Sequence, residues 1–173
     1  KKNEIQACRS TFEAPREEDI LSAMLQTHTG DHKYPGDYKE SENWPGVAPG
    51  EFGPVNAISP KYNRSILQQL MQAQPKPPML WIQGADDNII ADHSFSDPGY
   101  QGKLNLRDGW PGDEVYPPQP MVSQIEWALQ KYKSTGGVVR KKCVDDCGHT
   151  PFIEKPDITA RAVASQLQLS GFR

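Results

Sequence analysis

The sequence predicts an α/β protein, a parallel sheet with flanking helices preceded by a mostly irregular segment. From residue 64 onward the apolar patterning runs helix, strand, helix, strand, helix. Strands that alternate with helices imply right-handed crossovers and a parallel sheet covered by those helices. Ahead of that region, residues 30–63 hold five Pro and five Gly, a density that reads as loop. Across the whole chain, 16 Pro and 14 Gly among 173 residues make about 17%, where average usage gives about 12%. Hydrophobic residues reach 36% and the mean hydropathy is −0.71. The chain is poor in core for its length.

The elements follow in order. Arg16 to Asp19 opens a helix just after Pro15, its acidic residues placed where the helix dipole favours them. Ile20, Leu21, Met24 and Leu25 share one face of it, and Gly30 stops it. Tyr34, Trp44, Phe52 and Tyr62 are spread through the irregular stretch that follows. A loop of that length tends to be functional, and its large aromatics predict that it packs on something. Ile66, Leu67, Leu70 and Met71 mark a second helix that ends before Pro75. Met79–Ile82 is a short apolar run bounded by Pro and Gly, the pattern of a strand buried on both faces. Residues 91–120 form a second long loop. A helix from Met121 to Tyr132 aligns Val122, Ile125, Leu129 and Tyr132, and Gly136 with Gly137 breaks it. Val138–Val144 reads as the second strand and Asp157–Leu169 as the last helix. Two parallel strands do not make an independently stable sheet, since three or more with cover are needed. Part of the sheet is expected elsewhere.

Composition excludes several classes. No stretch approaches the ~18 apolar residues of a membrane span, and no charged-then-apolar start suggests a signal peptide. The net charge is −3, and basic residues cluster only at Lys1–Lys2 and Arg140–Lys142, which argues against a nucleic-acid footprint. Three Cys cannot make a full disulfide framework and favour a reducing, cytoplasmic setting. Cys143 and Cys147 leave one bridge open, with two reduced thiols the favoured reading. Together with His149, Asp145 and Asp146 they invite a metal site, but zinc spacing requires a second distant pair that the sequence lacks. No metal and no cofactor is expected.

In parallel α/β folds, ligands and reacting groups gather beyond the carboxyl ends of the strands. Gly84-Ala85-Asp86-Asp87 follows the first strand, and Asp145-Asp146-Cys147-Gly148-His149 follows the second. Either alone is ordinary: an Asp after a strand is usually a turn or cap, and a Gly-His pair is usually loop. Together they place a carboxylate and an imidazole at neighbouring strand ends. An acid that holds a histidine in one tautomer is two thirds of a nucleophile–His–acid triad.

PPMLWIQGADDNII followed by CVDDCGHTPFIEKP resembles the C-terminal half of an α/β-hydrolase, over roughly residues 64–169. In that family the acid-bearing strand ends in Gly-x-x-Asp and the histidine sits in a Gly-His element before a helix. The resemblance implies Asp87 as the acid, with Asp86 as the competing choice, and His149 as the base. Pro151 to Pro156 resembles the family's approach to its final helix. The implied fold is the C-terminal portion of an α/β-hydrolase fold. Residues 1–63 would be a cap or lid, residues 64–173 the C-terminal part of the core, and 91–120 a further lid-like loop.

The family's order is nucleophile, acid, histidine, so a nucleophile should precede Asp87. None of the eleven serines lies in a G-x-S-x-G frame, and no Cys or Asp occupies an equivalent turn. The expectation is a chain that begins after the nucleophile and partners the N-terminal part of the same hydrolase. The implied chemistry is ester or amide hydrolysis of a small-molecule substrate, with no cofactor. His149 would act as general base and Asp87 would orient it. Tyr34, Trp44, Phe52 and Tyr62, with Trp110, Tyr116 and Met121 from the loop after Asp87, would line an apolar pocket or simply pack the lid. Two alternatives stand beside this reading. One is an epoxide hydrolase with an upstream Asp nucleophile and a pair of lid tyrosines; the other is a non-catalytic relative that binds a ligand.

Overall fold

The computed structural model describes residues 14–26, 38–50 and 65–169. Among these the elements are α1 (Ala14–Leu25), β1 (Tyr38–Glu40), β2 (Val47–Pro49), α2 (Ile66–Gln72) and β3 (Met79–Gly84). Then follow α3 (Pro98–Lys103), α4 (Met121–Ser134), β4 (Val139–Val144), α5 (Pro151–Glu154) and α6 (Pro156–Leu169). The protein is thus a mixed α and β chain with a small parallel sheet of two strands. Described residues 14–26, 76–91 and 132–169 belong to one compact unit; 38–50, 65–75 and 92–131 belong to another.

The first unit is built on β3 and β4, paired in parallel from Met79 opposite Val139 to Gly84 opposite Val144. Helices α5 and α6 lie against β3. Both ends of the strand pair are tied. At the start, Met79 N donates to Val138 O at 2.9 Å. There the fully buried Tyr132 donates its hydroxyl to Pro77 O at 2.6 Å and packs against Gly137. At the finish, Ala85 N donates to Val144 O at 2.8 Å and Asp86 N to Cys147 O at 2.9 Å, beside the buried Val144 and Cys147.

Between those ends the cover is thinner. The expectation that Met79–Ile82 is buried on both faces is not met: these residues are half-buried, and only Gly84 of β3 is fully buried. The reason is the sheet's size, for β4 is the one strand paired with β3 among the described residues. A cavity of about 450 Å³ remains between strands and helix, lined by Leu80, Arg140, Lys142, Ile158, Arg161 and other residues.

The second unit holds two elements within stretches whose sequence reads as loop. β1 and β2 pair antiparallel, Tyr38 opposite Pro49, closed by a turn in which Ser41 N donates to Gly46 O at 3.0 Å. Helix α3 starts at Asp97, whose buried carboxylate accepts from Gly99 N and Tyr100 N, both at 3.1 Å, and from Gln119 N at 2.8 Å. One side chain thereby caps α3 and ties down the far end of the 91–120 loop. Asp92 does the same for α4: it accepts from Ser123 N at 2.8 Å and Ser123 Oγ at 2.5 Å. Pro120, just before α4, has no side-chain acceptor of its own with which to cap it.

Candidate functional site

The site is assembled where β3 and β4 end. Beyond Gly84 the chain turns through Asp87, whose N–H points back to Gly84 O at 3.4 Å. Asp87 Oδ1 accepts from Ile89 N at 2.8 Å and Ile90 N at 3.0 Å, which fixes the carboxylate plane. Its other oxygen, Oδ2, lies 3.0 Å from Nδ1 of His149. The Asp87 side chain is 6% exposed and that of His149 36%. With Oδ2 accepting, Nδ1 is the donor, and in the neutral ring Nε2 then presents a lone pair. Among the described residues Nε2 has no hydrogen-bond partner.

His149 reaches Asp87 because two chain segments come unusually close. A Cβ built on Gly84 would collide with the carbonyl oxygens of Cys147 and Gly148 and lie 2.7 Å from the Cys147 carbonyl carbon. Only a residue without a side chain lets the end of β3 sit under the histidine loop. That loop turns at Asp146, which has φ +48°, a left-handed conformation that Asp tolerates better than most residues.

The loop is also held from the helix that follows. Glu154 Oε2 accepts from Gly148 N at 2.8 Å, and Oε1 accepts from Thr150 N at 3.1 Å and Thr150 Oγ1 at 3.2 Å. In the sequence Glu154 stands within the Pro151–Pro156 element with no role of its own. Its signal is a Glu four residues after Thr150, one position beyond the usual capping box.

The structure thus brings Asp87 and His149 together, and Asp86 takes a different position, its N–H engaged by Cys147 O. Cys143 is exposed and Cys147 buried, and both are free thiols. Burial, followed by the nearby Glu154 charge, pushes the Cys147 thiol from 9.0 up to about 11. Among the described residues no three His, Cys, Asp or Glu side chains converge as metal ligands would. No described helix is long and apolar enough to cross a membrane.

The described aromatics of the irregular regions largely pack on one another and on backbone. Trp44 meets Tyr116 edge-on at 4.6 Å and donates Nε1–H to Asp108 O at 2.8 Å. Trp110 donates to Tyr116 O at 2.9 Å and covers Gly102. Tyr34, Phe52 and Tyr62 lie outside the described residues. No protein-family model, curated protein or solved structure matches the chain.

Proposed function

We propose that this chain carries the acid and the base of a hydrolase of the α/β-hydrolase superfamily. Asp87 is the acid, His149 the base, and the reaction is hydrolysis of a small-molecule ester or amide. The observation that supports this most is the 3.0 Å bond between a buried carboxylate and Nδ1 of a half-exposed imidazole. That geometry leaves Nε2 as the basic atom, the one that takes a proton from a nucleophile and returns it to the leaving group. Asp87 keeps Nδ1 protonated and stabilises the imidazolium once it forms. The fold in this reading is the C-terminal portion of an α/β-hydrolase, with residues 1–63 and the 91–120 loop supplying a substrate-selecting cap.

The nucleophile belongs, in this proposal, to a segment ahead of Lys1. The test is the coding sequence upstream together with a serine-directed fluorophosphonate probe on the longer polypeptide. A G-x-S-x-G after a strand, labelled by the probe and silenced by His149→Ala, is the expected result. An Asp at that turn moves the reaction to epoxide opening. If no Ser, Cys or Asp stands there, the enzyme reading fails and a ligand-binding relative replaces it.

A further inference from the structure

The contacts around Glu154 go beyond the needs of the short helix it ends. In a capping box a Glu reaches back to the N–H of the N-cap residue, and the bond to Thr150 N is of that kind. Gly148 N precedes the cap by two residues, so the 2.8 Å bond to Glu154 Oε2 satisfies no orphan donor of α5. Its effect falls on the residue between. With the peptide N–H groups of Gly148 and Thr150 on the two oxygens of one carboxylate, the backbone on both sides of His149 is held. The ring direction then follows from the side chain's own two torsions.

We propose that Glu154 is a positioning residue for His149, holding the loop so that Nδ1 faces Asp87 and Nε2 faces outward. The inference rests on reading Asp87 and His149 as an acid–base pair. Glu154 touches no reacting atom and acts through the loop that carries His149. A role in capping alone would make Glu154 variants less stable and leave the ring of every folded molecule as it is. A positioning role changes the ring as well.

The test is nitrogen-15 NMR of the histidine rings in the full 173-residue chain, with the His149 signals assigned by His149→Gln. The unsubstituted chain is expected to show a protonated Nδ1 with a slowly exchanging proton. In Asp87→Asn the amide oxygen stays with the N–H groups of Ile89 and Ile90, so the NH₂ faces Nδ1 and drives the proton to Nε2. Glu154→Ala is expected to speed exchange of the Nδ1 proton by about tenfold or more, the factor for about 1.4 kcal/mol. It should also shift the ring part of the way to the Nε2–H form. Glu154→Gln keeps one acceptor oxygen and falls between, and it supplies the reading if the alanine variant does not fold.

A folded Glu154 variant with the unsubstituted chain's ring pattern and exchange rate overturns the inference while leaving the pair intact. An unsubstituted chain that already lacks the Nδ1 proton removes the acid–base reading and this inference with it.

Discussion

Replacing Gly84 with Ala adds one methyl group at the closest approach of two backbone segments. That methyl would meet the carbonyl oxygens of Cys147 and Gly148, and the Cys147 carbonyl carbon at 2.7 Å. None of these atoms ends a flexible side chain, so the histidine loop itself must move. Overpacking of this kind costs about 1–3 kcal/mol, and backbone on the receiving side argues for at least about 2 kcal/mol of that range. For a chain of this length each kcal/mol lowers Tm by about 2–4 °C, so a drop of roughly 4–8 °C follows for 2 kcal/mol.

Gly46→Ala is the matched comparison. Gly46 has φ +87° and no atom within 4 Å of a built Cβ, so alanine there costs about 1–2 kcal/mol from backbone strain alone. Thermal unfolding followed by circular dichroism should place both variants below the unsubstituted chain. Only Gly84→Ala should disturb the His149 ring, because only it displaces residues 147–149 from Asp87. Unchanged stability in Gly84→Ala, or a loss with the His149 ring spectrum intact, would refute the close-approach argument.

Three further predictions concern thiols and a cap. Alkylation of the native chain at pH 8 should modify the exposed Cys143 and spare the buried Cys147; cleavage before Asp145 separates the two for mass spectrometry, and equal labelling would contradict the burial. Because the folded chain raises the Cys147 thiol from 9.0 to about 11, it binds that proton more tightly than the unfolded chain. This contribution to stability is fully present below about pH 9 and is lost as pH rises toward 11. Cys147→Ala should therefore flatten the alkaline fall in the urea midpoint. Asp92 is the opposite case: hydrogen bonds from the Ser123 hydroxyl and N–H hold its carboxyl below 3.8. Its contribution is present above that value and lost as pH falls through the folded-state pKa. Asp92→Ala should cost about 1 kcal/mol at neutral pH, as for a lost helix cap. The difference from the unsubstituted chain should shrink at about pH 3, and a pH-independent difference would rule out the cap.

What was legible in the sequence follows from how each feature is encoded. α4 and α6 announce themselves through apolar residues at helical spacing, β3 through a short apolar run between Pro and Gly, and β4 through the Gly136-Gly137 break ahead of it and the valines at its ends. Their observed ends lie within two residues of the expected ones. The β1–β2 hairpin was not legible because Tyr-Lys-Glu is exposed at all three positions, so no burial imposes alternation. α3 was hidden for a different reason: PGYQGK contains two glycines and a proline, and the helix rests on the Asp97 cap and the packing of Gly102 under Trp110. The cap bonds are local, but the Gln119 N–H on Asp97 and Trp110 over Gly102 join residues that lie apart in the sequence. The meeting of Asp87 and His149 was legible because strand adjacency follows from parallel topology. Glu154 was not, because its bond to Gly148 depends on how the loop turns at Asp146.

The distribution of packing bears on what the strand pair can do alone. Its fully buried side chains are Tyr132 near the start of the strands and Val144 with Cys147 near the finish. The stretch between is half-buried on β3 and partly exposed on β4. Two strands fastened at their ends but thinly covered in the middle gain little from hydrophobic burial, which scales with the apolar area removed from water. The order at Asp87 and His149 therefore comes from short-range constraints: the missing side chain of Gly84, the two N–H groups on Asp87 Oδ1, and the Glu154 carboxylate. Such constraints fix geometry without needing a large core. Added cover along β3 would raise global stability without altering the pair's geometry, so variants of that kind should leave the histidine ring signal unchanged.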